Sequence, residues 1–172
     1  MKREVIYDGH IITVVKLDDH WEVVEHTAAV CVLALREGTK GQEVLGVVQP
    51  RPAIGANTWE LPAGLVEEGE APEDAALREF AEECQLTGDL TLLTQVHSSP
   101  GFCTEKAYVY EATNLRRAAG TPDESEDITL SWRNLEEVWR EVSSGQTSSS
   151  AHALLALTYA LGRTGRLPGT PF

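Results

Sequence analysis

Near the N-terminus, residues 4–7, 11–17 and 21–25 alternate apolar and polar side chains, punctuated by Asp8-Gly9 and Asp18-Asp19. A period of two with turn-forming breaks predicts short strands joined by tight turns. Residues 28–35 and 44–49 are apolar runs on either side of a polar stretch, 36–42, that holds Gly38 and Gly41, and they read as a buried hairpin. Pro50, Pro52 and Gly55 mark a loop before Trp59-Glu60-Leu61-Pro62-Ala63-Gly64. The period then changes. Pro72 suits the first turn of a helix, where a missing N–H costs nothing, and Glu73 and Asp74 suit its positive end. Leu77, Phe80, Ala81 and Cys84 recur at about 100° per residue and form the expected core stripe.

Beyond this helix, residues 90–97 and 106–112 read as strands joined by a loop over 98–105. A polar, acidic connection over 113–127 leads to a strand at 128–132. Helical spacing returns at 135–142 and 151–161, around a loop at 143–150. Strands enclosed by a few helices predict an α+β sandwich. At 172 residues and 18.8 kDa, without an internal repeat or long linker, the chain fits one domain with a sizeable core.

Charge narrows the chemistry. The chain carries 14 Lys and Arg against 27 Asp and Glu, a net charge of −13, with a pI near 4.7. No basic surface is massed to release counterions, so nucleic acid and anionic membrane are not expected partners. Cys31, Cys84 and Cys103 are scattered in apolar surroundings and are expected to be buried thiols of a reducing cytoplasm. No Cys or His pair has zinc spacing, no stretch could span a bilayer, and the first residues lack a signal peptide's apolar region. A cytoplasmic protein is the expectation.

Glu79, Glu82 and Glu83 stand at i, i+3 and i+4 and so share one helical face. Like charges so close weaken a helix by a few tenths of a kcal/mol per pair. A hard divalent cation would offset this, since Mg²⁺ takes a few carboxylates together with substrate phosphates. Order and spacing sharpen this reading. The pattern G-x5-E-x7-R-E-x-x-E-E-x-x-(apolar) is met by Gly64, Glu70, Arg78, Glu79, Glu82, Glu83 and Leu86. It resembles the Nudix box, the signature of hydrolases acting on nucleoside diphosphates linked to another moiety. Gln85 stands where that family usually has glycine, which suggests a helix prolonged by about a residue and ended by Gly88. Phe80 replaces the usual aliphatic residue.

The flanks QPR (49–51), WELPAG (59–64), SPGFCTE (99–105) and ESED (124–127) resemble the ADP-ribose pyrophosphatase branch, and Pro100 follows the box at about that branch's spacing. The resemblance implies a Nudix-type α/β/α sandwich with a mixed central sheet. Residues 1–26 would be an N-terminal strand element that crosses to a second subunit in a homodimer, and residues 27–172 the hydrolase domain. It implies Mg²⁺ (or Mn²⁺) held by Glu79, Glu83, Glu82 and the Ala63 carbonyl, with Glu70 and Arg78 bracing the loop and helix. Arg51 would clamp a phosphate and Glu60 face metal or substrate. The backbone around Gly101 and Phe102, with Glu105, would line the terminal ribose pocket. Glu126, ahead of Glu124, would activate water from a mobile loop. Trp21 and Trp59 are expected in strands or core rather than under a base. The implied reaction turns ADP-ribose into AMP and ribose 5-phosphate. Another nucleoside diphosphate sugar such as GDP-mannose, or a silent ADP-ribose-binding domain, is the alternative.

Overall fold

The computed structural model describes residues 1–119 and 128–165. Strands β1 (Arg3–Asp8), β2 (Thr13–Leu17) and β3 (Trp21–Glu25) form an antiparallel sheet of their own. Ten further strands and α-helices follow among the described residues, with a short 3-10 turn at Pro52–Ile54. They are β4 (Ala29–Gly38), β5 (Gly41–Arg51), β6 (Ala56–Glu60), β7 (Ala63–Leu65), helix α1 (Pro72–Cys84), β8 (Leu86–His97), β9 (Lys106–Arg117), β10 (Thr129–Asn134), α2 (Leu135–Ser143) and α3 (Ala151–Arg163). The larger sheet runs β10-β5-β4-β9-β8, with β6 on β5 and β7 on β4. β4 and β9 are parallel and the other pairs antiparallel, so the sheet is mixed.

β4 explains the layering. Its Cys31 and Leu33 join Trp59, Leu61, Leu135, Val138, Trp139, Leu157 and Leu161 beneath α2 and α3. Its Val30, Val32 and Ala34 join Ala75, Ala76, Phe80 and Cys84 beneath α1. Successive side chains leave a strand on opposite faces, so an unbroken apolar run is what a doubly covered strand requires. Each large side chain fully buried this way contributes about 2 kcal/mol relative to exposure. The expected α/β/α sandwich is therefore the observed one. Among the described residues, no helix is long and apolar enough to cross a membrane.

Local chemistry shifts several expected boundaries. The β4–β5 turn is tighter than expected, because both strands run to Gly38 and Gly41 and leave Thr39-Lys40 between them. β2 begins at Thr13, and Ile11 is exposed in the preceding turn. β9 continues to Arg117, so the polar connection starts later than expected. On α1, Ala75 and Ala76 are buried with Phe80 and Cys84, while Leu77 and Ala81 are only half-buried.

The helix is not prolonged past Cys84. Gln85 takes the left-handed conformation itself, with φ 57°, and its N–H and side-chain amide both donate to the Ala81 carbonyl at 3.0 and 2.9 Å. Gly88 lies inside β8, where an added Cβ would stand 2.6 Å from the Thr113 carbonyl oxygen of β9. Its role is close strand approach rather than a helix stop. A side chain at φ 57° costs energy that glycine does not. Gln85→Gly should therefore stabilise the fold by about 0.5–1 kcal/mol net of the lost amide bond, and raise the thermal midpoint by a few degrees. A lowered midpoint would show that the amide bond outweighs the strain.

Candidate active site

The antiparallel pairing of β4 with β7 sets Ala63 and Gly64 beside Cys31 and Val30. α1 then packs its glutamates against this strand. Gly64 permits the contact, because a Cβ there would fall 2.0–2.3 Å from the carboxylate atoms of Glu79. Glu83 is buried, and its Oε2 accepts the Ala63 N–H at 3.1 Å. Glu79, Glu83, Ala63, Gly64, Arg51, Glu60, Glu105, His26 and His152 all line one cavity of about 780 Å³. It opens where β4 and β9 begin and β5 ends.

Arg78 organises the approach to this wall. Its Nε and Nη2 donate to both oxygens of Glu70 at 2.9 and 3.0 Å, and Nη2 also donates to the Leu65 carbonyl at 2.9 Å. Nη1 reaches Glu79 at 2.8 Å and Glu82 at 3.1 Å. The Glu82 side chain is 41% exposed and sits at the rim, outside the cavity lining. Glu82 is thus joined to Glu79 through Arg78 Nη1 but, unlike Glu79 and Glu83, does not line the cavity. The bonds from Arg78, and then the Glu67 N–H, hold the Glu70 carboxyl below the usual range, and the guanidinium is raised in turn.

Arg51 and Glu60 form a pair. Arg51 donates from Nε and Nη2 to the two oxygens of Glu60 at 2.8 and 3.0 Å, and Thr58 donates its hydroxyl to Oε1 at 2.5 Å. Burial pushes the Glu60 carboxyl up, but the bonds from Arg51 and Thr58 outweigh it and leave it below its ordinary value. The guanidinium expected to clamp a phosphate turns its Nε–Nη2 edge to Glu60, and Arg51 lines the cavity already oriented. Glu70, Glu60, Asp89 and Glu141 all have depressed carboxyls, so their stabilisation is full above the unfolded value and disappears as pH falls through the folded one. Thermal melts should hold steady from about pH 7 to 5.5 and drop below about pH 4. A midpoint that rose on acidification would contradict these pairings.

Elsewhere on the cavity wall, Glu105 accepts from the Ser98 hydroxyl and sits 2.9 Å from His26 Nδ1. Gly101 and Phe102 are not on this wall, contrary to expectation. Phe102 is 56% exposed, faces the N-terminal sheet, and lines a separate groove with Ile6, Val14 and Val24. The Phe102 carbonyl accepts the Val24 N–H at 2.7 Å, which turns this loop towards β3. Trp59 is 2% exposed in the core and Trp21 is exposed on the outer sheet, and neither lines the cavity. Cys31 and Cys84 are buried and Cys103 half-buried; burial pushes the Cys31 thiol up to about 12. Glu124 and Glu126 lie outside the described residues.

The NUDIX domain profile matches residues 25–153. This chain belongs to the Nudix family. An ADP-ribose pyrophosphatase of Mycobacterium tuberculosis is 37% identical over 134 residues, covering 75% of this chain and 63% of that protein. An ADP-ribose pyrophosphatase of Bacillus subtilis is 35% identical over 138 residues, covering 77% and 73%. A methanol dehydrogenase activator of Bacillus methanolicus is 33% identical over 150 residues, covering 80% and 78%. The crystal structure of an ADP compounds hydrolase superposes with a TM-score of 0.71 at 18% identity, over 97% of this chain and 95% of that one, and shows the same fold.

Nudix hydrolases generally use divalent metal ions. The residues present fit such an ion. Among the described residues no three acidic, His or Cys side chains converge into a ready-made cage. However, Glu79 and Glu83 line the same cavity as Ala63 and Gly64, and Gly64 leaves room for one of the carboxylates. Two carboxylates completed by water and phosphate form a set that suits Mg²⁺ better than a closed protein cage does.

Proposed function

We propose that this Nudix chain hydrolyses the pyrophosphate bond of ADP-ribose, with water, to AMP and ribose 5-phosphate. The observation that carries this reading is one cavity lined both by Glu79 and Glu83 and by Arg51 and Glu105. The first pair suits a cation-bridged diphosphate, and the second adds a positive charge for phosphate and an acceptor for sugar hydroxyls. At about 780 Å³ the space is of the size that takes a small organic ligand. The names of the two pyrophosphatase relatives support the choice of substrate.

Mg²⁺ or Mn²⁺ would be held by Glu79, Glu83 and the Ala63 carbonyl, with Glu82 approaching from the rim. When bound, such an ion neutralises phosphate charge and makes hydroxide available near neutral pH. The remaining work falls to the chain. Glu60 orients Arg51, and Arg51 offsets charge on the diphosphate. Arg78 and Glu70 brace the loop and helix that present Glu79. Glu126, or else Glu124, takes the proton from the attacking water. Glu105 meets the terminal sugar. The exposed Val5, Ile6, Tyr7 and Ile11 of the N-terminal sheet and its turn support a homodimer, which light scattering would test. The reaction takes place in the cytoplasm, with no nucleic acid or membrane partner.

The test is chromatography of products after incubation with Mg²⁺ or Mn²⁺ and, separately, ADP-ribose, GDP-mannose and other nucleotide sugars. AMP and ribose 5-phosphate in equal amounts, formed fastest from ADP-ribose, are expected. Preference for another sugar would overturn the substrate, and tight binding without products would overturn the activity.

A further inference from the structure

The cavity wall around Glu105 holds a chain of polar contacts whose other members, His26, Ser98 and His152, lie outside the box and its flanks. Glu105 Oε1 accepts from Ser98 Oγ, and Ser98 Oγ lies 3.1 Å from His152 Nε2. Glu105 Oε2 lies 2.9 Å from His26 Nδ1, which is also 3.0 Å from the Thr27 carbonyl oxygen. These groups come from four separate places: the end of β3, the end of β8, the start of β9 and the first turn of α3. His26, Glu105 and His152 all line the cavity, and the His26 and Glu105 side chains are only 12% and 20% exposed.

Counting protons gives the chain a direction. A serine hydroxyl has one hydrogen, and here it serves Glu105. His152 Nε2 must then be the donor to Ser98 Oγ. His26 Nδ1 faces two acceptors, the carboxylate and the Thr27 carbonyl, so it too carries a hydrogen. Glu105 thus accepts the Ser98 hydroxyl on Oε1, while its Oε2 stands 2.9 Å from His26 Nδ1, whose own hydrogen goes to the Thr27 carbonyl, so the carboxylate is flanked on both sides. A carboxylate oxygen can accept about two hydrogen bonds, so acceptor capacity remains on both oxygens. Two parallel acceptor positions a carboxylate's width apart match a vicinal diol whose hydroxyls donate side by side.

We infer that His26, Ser98 and His152 are positioning residues that aim Glu105 at a vicinal diol on the non-nucleotide side of the substrate, and so determine sugar specificity. The inference rests on the ADP-ribose reading above. A site built to hydrogen-bond hydroxyls discriminates against a compound lacking them, because its half-buried acceptor then loses those partners. His152 and Ser98 contribute by holding that acceptor in place, so their loss relaxes discrimination.

The experiment compares kcat/KM for ADP-ribose with that for the ethyl diester of ADP, which keeps the pyrophosphate and lacks the sugar. Wild type should favour ADP-ribose strongly. His152→Ala should shrink that ratio by about tenfold or more, chiefly through KM for ADP-ribose. His152→Gln, whose amide can donate from near the position of Nε2, should recover most of it. If His152→Ala fails to fold, Ser98→Ala makes the same comparison and should lower the ratio likewise. A ratio unchanged within twofold, or equal losses on both substrates, overturns the inference while leaving ADP-ribose hydrolysis intact. A wild-type protein that cleaves the ethyl diester but not ADP-ribose would overturn the substrate reading and this inference together.

Discussion

Glu83→Gln should lower kcat by about a thousandfold or more while leaving the thermal midpoint within a few degrees of wild type. The two halves of that result have different causes. Glu83 is buried and accepts the Ala63 N–H, and the glutamine amide oxygen can make the same bond in nearly the same volume. An amide of the same shape also avoids the desolvation cost of a buried charge. What the amide cannot replace is the negative charge that a dication needs on this wall of the cavity. Steady-state kinetics at saturating Mg²⁺ and a melt of the same sample check both halves. Near wild-type turnover would remove Glu83 from the metal assignment. A large drop in the midpoint would mean that the charge supports the fold instead.

Gly64→Ala is expected to act on the same cavity through geometry alone. The new methyl would stand 2.0–2.3 Å from the Glu79 carboxylate atoms, far inside van der Waals contact. Those atoms are the end of a flexible side chain, so the carboxylate swings aside and the fold survives. A displacement of about 1 Å in a catalytic group can cost a hundredfold in rate, and a loss of that size in kcat is expected with little change in the midpoint. The apparent Mg²⁺ requirement should rise as well, since one oxygen donor has moved. Arg78 holds Glu79 from its other side at 2.8 Å, which restricts where the carboxylate can go. Full activity in Gly64→Ala would show that the close contact has no bearing on catalysis.

Parts of this site were legible because their chemistry depends on short spacing. The i, i+4 relation of Glu79 and Glu83 and the position of Gly64 carry over from sequence to structure, where Arg78 is hydrogen-bonded to Glu70. The doubly buried β4 could also be read, because a continuous apolar run has few other uses. Contacts between distant residues could not be read. The partnership of Ser98 with His152 joins residues 54 apart, and that of His26 with Glu105 joins the two sheets; no periodicity records either. Helical spacing put the three glutamates on one face, but only packing against β7 separates the buried Glu83 from Glu82 at the rim. Gln85 misled for a local reason: a side-chain amide bonded to Ala81 lets a non-glycine residue end the helix. Phe102 was drawn off the cavity by main-chain bonding to Val24, which leaves no mark in composition.

The most direct measurement is calorimetric titration of Mn²⁺ into the wild-type protein, Glu79→Gln and Glu83→Gln, each with and without AMP. Binding by wild type that strengthens with nucleotide, and is lost or weakened at least tenfold in both variants, is the expected result. Equal affinity in all three proteins, or no binding in any of them, would contradict the claim that these two carboxylates hold the catalytic cation.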